Sequence, residues 1–316
     1  MANNRLTVSV IIPTFNRSTL LREAIDSLLA QTRIPDEIIV VDDGSTDDTM
    51  SVLSQYNAPV VAVHKSNGGQ PAARNAGLDK ATGDLITFLD DDDSLTTDSI
   101  ETRATFLEQN PAVGVVYGDI RVTDSQGNDR GLYTQISGLS TPSGNVFGAF
   151  VERNRSPIHA FMIRRPCLEQ AGRFKSEYLG VEDYDLWLSA ARHCRFQYLE
   201  HVMGNYRYHG NRTTVVRAHQ MQQSVIAIRA EAFKYPEFAA LTAPQKARIY
   251  SVHATQHFLL ANMAAARSWS LLAIRTAPTI LRPYLLLALA LGGKRSFNFI
   301  SRLRQRLRNE VAATGT

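Results

Sequence analysis

"LITFLDDDDS", Leu85 to Ser94, runs without a break from an apolar segment into four consecutive aspartates. A short continuous apolar run of this kind reads as a strand buried on both faces, and the sudden carboxylates mark where it reaches water. Ionising four adjacent carboxylates is unfavourable unless a positive group stands nearby, so the run calls for a counter-charge.

Working outward, Val8 to Ile12 is a second β-branched apolar run, broken by "PTFNRS". Leu20, Leu21, Ala24, Ile25, Leu28 and Leu29 then recur at helical spacing. Ile38 to Val41 repeats the pattern and ends in "DDGSTDD", where Ser45 or Thr46 is expected to cap a helix carrying Asp47 and Asp48 in its first turn. Val60 to Val63 is a further strand, and the turn "NGGQP" precedes the helical "AARNAGLDKA". Strand and helix alternate, which predicts an α/β fold with a mostly parallel, Rossmann-like sheet and right-handed crossovers. Ligands bind beyond the carboxyl ends of such strands, so "PTFNR", "DDGS" and "DDDD" converge on one expected site. Beyond Pro111, "VGVVYGDIRV" and "TDSQGNDRG" read as a strand and a hairpin turn, so the second half of the sheet is expected to be mixed. After about Asn211 the chain turns helical, giving expected domains at 1–212 and 213–316.

The bulk composition is that of a folded globular chain: 316 residues, 44% hydrophobic and 20% charged. The net charge of +4 is concentrated toward the C-terminus, and no nucleic-acid partner is expected. Cys167 and Cys194 lack metal-ligand spacing and read as buried free thiols in a reducing, cytoplasmic setting. The N-terminal "MANNRLTVSVII" reads as a first strand rather than a signal peptide.

Carboxylate oxygens are hard ligands for magnesium or manganese, and magnesium keeps open positions for water and phosphate oxygens. The aspartate run therefore points to a divalent cation and a phosphate-bearing substrate, with a solvated acidic turn or helix cap as the bland alternative. Arg17 and Arg74 stand in loops beside those strand ends as planar phosphate donors or as surface charges. Neither a P-loop nor a strand-following G-x-G-x-x-G is present, which weighs against ATPase and dinucleotide chemistry. Glu182, Asp183 and Asp185 open a helix with Leu186, Trp187 and Ala190 on its apolar face, as a cap or as a general base. His209, after Tyr206 and Tyr208, is a ligand or an ordinary surface histidine.

The ordered set "VSVIIPTFNR", "SLLAQT", "EIIVVDDGSTDDT", "NGGQPAARNAG", "GDLITFLDDDD", "GVEDYDLWL" and "YRYH", over roughly residues 7 to 212, resembles family 2 glycosyltransferases with the GT-A fold. The resemblance implies an inverting transfer from a nucleotide diphosphate sugar, usually a UDP-sugar, with Mn2+ or Mg2+. It implies that Pro13, Thr14, Phe15 and Arg17 lie against the nucleotide and that Asp43 reads the uracil edge, with Asp42 in support and Arg74 nearby. Asp90 and Asp92 fit the D-x-D frame, Asp92 as metal ligand and Asp91 toward the ribose. Asp183 matches the general base, and His209 matches a further metal or phosphate contact. His159, within the "RNRSPIHAFMIRR" segment, faces the acceptor or packs beside the strand, and Glu182 falls on the acceptor side. The acceptor implied is a glycan or a lipid-linked hydroxyl. The alternatives are a nucleotidyltransferase that makes nucleotide sugars, for which "PTFNRST" lacks the glycines of a triphosphate loop, and a non-catalytic nucleotide-sugar-binding or scaffold protein.

Near the C-terminus, "APTILRPYLLLALALGG" is interrupted by Pro278, Arg282 and Pro283 and falls short of the ~20 residues of a spanning helix. The following "KRSFNFISRLRQRLRNE" has the pattern of a basic amphipathic helix, suited either to an anionic membrane surface on the inner face of the cell membrane or to packing on the protein.

Overall fold

In a computed structural model, residues 5–208, 218–293, 295–300 and 302 are described. They form two compact units that divide between Ala218 and His219.

The first unit is built on β1 (Val8–Thr14), α1 (Ser18–Leu29), β2 (Glu37–Asp42), α2 (Thr49–Leu53), β3 (Val60–His64), α3 (Gln70–Lys80) and β4 (Leu85–Phe88). These strands lie in the order β3-β2-β1-β4, all parallel. β1 and β4 are buried along their whole length and β2 from Ile38 onward, because helices cover both faces of a parallel sheet and leave no room for alternation. α1 buries Leu21, Ala24, Ile25 and Leu28, one face at the i, i+3, i+4, i+7 spacing. Each such leucine or isoleucine contributes about 1.5–3 kcal/mol when fully buried. β3 is the edge strand, and Val61 and Ala62 are exposed there rather than covered.

The remaining elements are β5 (Ser94–Leu95), α4 (Ser99–Gln109), β6 (Val115–Thr123), β7 (Asp129–Leu132), α5 (Tyr133–Ser137), α6 (Phe147–Glu152), β8 (Phe161–Arg164), α7 (Arg165–Ala171), α8 (Glu182–His193) and β9 (Phe196–Arg207). The sheet continues β4-β8-β6-β9-β5. β8 is antiparallel to both β4 and β6, β9 is parallel to β6, and β6 and β7 form the hairpin. The expected α/β class with a mixed second half is found. Among the described residues, β4 and β6 are joined in the sheet through β8, a four-residue strand delivered from much later in the chain.

Two local expectations are corrected. The helix after "DDGS" starts only at Thr49, because Asp47 turns back to accept hydrogen bonds from the Thr49 backbone (3.1 Å) and hydroxyl (2.5 Å). Cys167 and Cys194 are disulfide-bonded, not free thiols, and join α7 to the end of α8 with their Cα atoms 6.2 Å apart. Gly114 makes that approach possible: a Cβ at this position would collide with the Cys167 sulfur and lie 2.8 Å from the Cys194 Cβ.

The second unit contains α9 (Ala218–Ala232) from its second residue onward, α10 (Pro236–Ala239), α11 (Ala243–Leu259), α12 (Met263–Thr276) and α13 (Arg282–Leu291). Thr242 and Gln245 start α11 with a reciprocal capping box, and the Asn262 side chain accepts from the Ala265 amide to start α12. Phe233, Phe238, Tyr250, His253 and Trp269 pack ring against ring at its centre. Among the described residues no helix is long and apolar enough to cross a membrane.

Candidate active site

Parallel register brings the ends of β1 and β2 level, with Thr14 beside Asp42, while β4 runs on from Phe88 into Leu89 and the aspartates. The "PTFNR" loop is tied to the "DDGS" turn by Asn16. Its amide donates to the Ser45 hydroxyl (2.8 Å), and its side-chain oxygen accepts from the Thr46 amide (2.7 Å). Asn16 has φ 54°, a left-handed conformation that asparagine tolerates better than most residues. Gly44, at φ 82°, lets the same turn press against the next loop; a Cβ there would sit 2.9 Å from the Asn67 amide nitrogen.

Each aspartate of the run has its own partners. Asp90 accepts from Arg74 (2.6 Å) and Gln70 (3.0 Å). Asp91 accepts from the Thr14 hydroxyl (2.8 Å) and Arg17 (2.9 Å), and Asp92 accepts from the same Arg17 nitrogen (2.8 Å). Asp93 accepts from the Arg207 amide (2.9 Å) and faces His159 Nδ1 at 3.3 Å. The counter-charge sought in the sequence is thus supplied by two arginines, with a histidine in contact with the last carboxylate. Asp90, Asp92 and Asp93 also offer one oxygen each within 4.8 Å of one another, a hard-oxygen set suited to magnesium or manganese. Burial pushes the Asp91 carboxyl up to about 7; Arg17 opposes the shift and Asp92 adds to it.

The first residue of α8 joins this cluster. Arg74, nine-tenths or more buried in α3, donates through one nitrogen to Asp90 and through the other to Glu182 (2.5 Å). Glu182 also accepts from the Gly180 amide (2.5 Å). Asp183 follows at the start of α8, half-buried, held by the Asn154 side-chain amide (2.9 Å) and by the Tyr184 amide (2.8 Å). Burial and then the neighbouring Glu182 push its carboxyl up to about 7, against the pull of Arg74.

A cleft of about 340 Å³ opens beside the run, lined by Pro13, Thr14, Phe15, Arg17, Asp43 and Asp91, together with Asn67, Gly69, Gln70, Ala73 and Leu179. Asp43 accepts from Lys65 (2.6 Å) and from the Gly68 and Gly69 amides (2.9 and 2.7 Å), so it pins the "NGG" turn at the cleft wall. Asp42 is fully buried, accepts from the Ser45 amide (2.9 Å) and pairs with His64 (2.8 Å), which holds the turn's shape.

The two residues expected on the acceptor side are both buried. His159 is fully buried against Asp93 and stacks on Tyr206, and Glu182 is buried against Arg74, so both brace the carboxylate cluster instead of facing solvent. His209 lies outside the described residues. Asn16, His64, Lys65, Gln70 and Asn154 also hold the site together and are not among the residues expected from the sequence. Only Asn16, inside the strand-following "PTFNR", carried a usable signal, since asparagine is enriched where the backbone must turn left-handed.

A parallel half-sheet that continues through β8 into a mixed half, with a carboxylate cluster and a cleft at its strand ends, is also the architecture of solved glycosyltransferase structures of GT-A type. The S. aureus TarS 1-349 structure in complex with UDP-GlcNAc matches at TM-score 0.67 and 18% identity, covering 95% of this chain and 92% of that one. A Pyrobaculum calidifontis mannosyltransferase, PcManGT, in complex with GDP-Man and Mn2+, matches at TM-score 0.61 and 22% identity, covering 92% and 81%. At these identities the likeness shows the shared GT-A-like fold. Residues 9–170, just over half of the chain, match the family model of glycosyl transferase family 2, and the chain belongs to that family. An uncharacterized glycosyltransferase of Rickettsia felis is 31% identical over 72% of this chain, and the match spans 37% of that relative's length. A Pasteurella multocida chondroitin synthase is 26% identical over 76% of this chain and 25% of its own length.

Proposed function

We propose that this glycosyltransferase moves a sugar, with inversion, from a nucleotide diphosphate sugar of the UDP type to a hydroxyl of a glycan or lipid-linked acceptor. The observation that carries this is the Arg74 bridge, which sets a carboxyl group with a pKa near neutrality beside an acidic cluster and a nucleotide-sized cleft. The solved neighbours of the same fold contain UDP-GlcNAc or GDP-Man, which supports a nucleotide-sugar donor.

Asp183 is the general base: it takes the acceptor hydroxyl's proton as that oxygen attacks the anomeric carbon opposite the leaving diphosphate. A base titrating near 7 is ionised often enough at neutral pH yet still holds the proton it receives. Asn154 fixes one carboxyl oxygen and the Tyr184 amide the other, so the group is oriented before the acceptor arrives. Pro13, Thr14, Phe15, Asp43 and Arg74 shape the nucleotide side. Asp91 is buried beneath Thr14 and Arg17 and supports that wall. Asp90, Asp92 and Asp93 are the residues to hold Mn2+ or Mg2+. When bound, the ion neutralises charge developing on the diphosphate.

The test is release of nucleotide from a panel of UDP- and GDP-sugars, with and without glycan or lipid acceptors, in Mn2+, in Mg2+ and in chelator. Asp183→Asn is expected to lower transfer by roughly 10²–10⁴-fold while UDP binding by calorimetry is kept. Retained transfer removes Asp183 from the chemistry. Asp92→Ala is expected to abolish metal-dependent donor binding. If Asp93→Ala abolishes it and Asp92→Ala does not, the ligand register is shifted by one.

A further inference from the structure

From Phe238 through Asn309 the chain contains eleven lysines and arginines and no aspartate or glutamate. Within that stretch α13 buries Pro283, Leu286 and Ala290 and turns Leu281, Tyr284, Leu285, Ala288 and Leu291 outward. Leu281, Leu285 and Leu291 are 80%, 63% and 65% exposed, where the outer face of a helix normally carries charge. Leu271 and Leu272 on α12, and Phe299 beyond α13, add exposed apolar area in the same unit. Exposed basic residues accompany them, with Arg275 closing α12, Arg282 opening α13, and Arg295 and Arg302 following.

We propose that the outward face of α13 is a docking surface for an anionic phospholipid bilayer, with the leucines entering the interface and the surrounding arginines meeting lipid phosphates. At ten residues α13 is about 15 Å long, half of the ~30 Å hydrocarbon thickness, so it lies along the surface and does not span. Charge selects this occupant over a second copy of the chain. Self-association would set two copies of the acid-free Phe238–Asn309 stretch against each other, like charge on like, whereas an anionic leaflet attracts each basic residue held near its surface. Because α13 carries no group of the proposed site, failure of either proposal leaves the other intact.

The experiment is co-sedimentation of the full chain with vesicles of phosphatidylcholine alone and of equal parts phosphatidylcholine and phosphatidylglycerol, at low and high salt. The chain is expected to pellet only with the anionic vesicles and to be released by salt. Leu281→Asn with Leu285→Asn is expected to weaken partitioning by about tenfold or more per leucine, since each loses an apolar side chain's burial. Both positions are exposed, so nucleotide binding and the unfolding midpoint should match the parent and certify the fold. Absence of pelleting at low salt overturns the proposal, as does binding undiminished in the double variant. Concentration-dependent dimers that the double variant abolishes, without vesicle binding, overturn it in favour of a self-interface.

Discussion

The strand-end cluster and the C-terminal helices handle charge in opposite ways. Around "DDDD" every carboxylate is matched: Arg17 takes Asp91 and Asp92, Arg74 takes Asp90 and Glu182, and Asp93 has the Arg207 amide and His159. From Phe238 to Asn309 there is one sign only, and among the described residues Arg275, Arg295 and Arg302 are exposed. Buried ions must be paired within the fold because water cannot solvate them, while exposed like charges cost little and remain available to something outside. The first region's charges are therefore structural as well as chemical, and the second region's are not structural.

Three measurements sharpen or break this contrast. The largest effect is expected from Arg74→Ala, which leaves Asp90 and Glu182 without their shared cation. Denaturant unfolding should show a loss of about 3–5 kcal/mol, and a loss under 1 kcal/mol would mean that the carboxylates find water or protons instead. Next comes pH. The Asp183 and Asp91 carboxyls are raised from their ordinary value near 3.8 to about 7, because burial disfavours their charged forms. Each binds its proton more tightly folded than unfolded, so the stability it contributes is complete below about 4 and is lost as pH rises toward 7. Catalysis by the proposed base runs the other way: Asp183 would have to be ionised, so kcat/KM should fall as pH drops below about 7, and in the Asp183→Asn variant the residual rate should lose that limb. The smallest effect belongs to the second region. Arg275→Gln should change the unfolding free energy by within about 0.5 kcal/mol, and a larger loss would give that arginine a structural partner.

Much of the fold was legible because buried parallel strands announce themselves as continuous apolar runs that stop at polar loops. Val8–Ile12, Ile38–Val41 and Leu85–Leu89 all lie in or directly continue β1, β2 and β4. β8 was not legible as the link between the two half-sheets, since four residues inside "HAFMIRR" carry no period and pairing over such distances leaves no local trace. In the site, residue types pointed to the right segments but not to the partners. A sequence shows that Arg74 is near a strand end, yet only the packed α3 and α8 show it shared between two carboxylates. His159 and Glu182 were placed on the acceptor side by resemblance, His159 alternatively beside a strand, and no local pattern announces that both are buried against the cluster, His159 at Asp93 and Glu182 at Arg74. The disulfide was missed for a related reason: Cys167 and Cys194 are 27 residues apart, and only the turn from α7 into α8, passing the bare Gly114, brings them together.

The Arg74 bridge also limits how this enzyme can be taken apart. Donor and acceptor halves of a transferase invite exchange as modules, one loop set grafted onto another's strands. Here a single guanidinium would belong to both halves of the proposed site, because it reaches from α3 to the end of β4 on one side and to the first residue of α8 on the other. A graft that imports a new acceptor-side helix must therefore bring a glutamate in the same place, or replace α3 with it, because either half alone arrives with a buried charge unmatched.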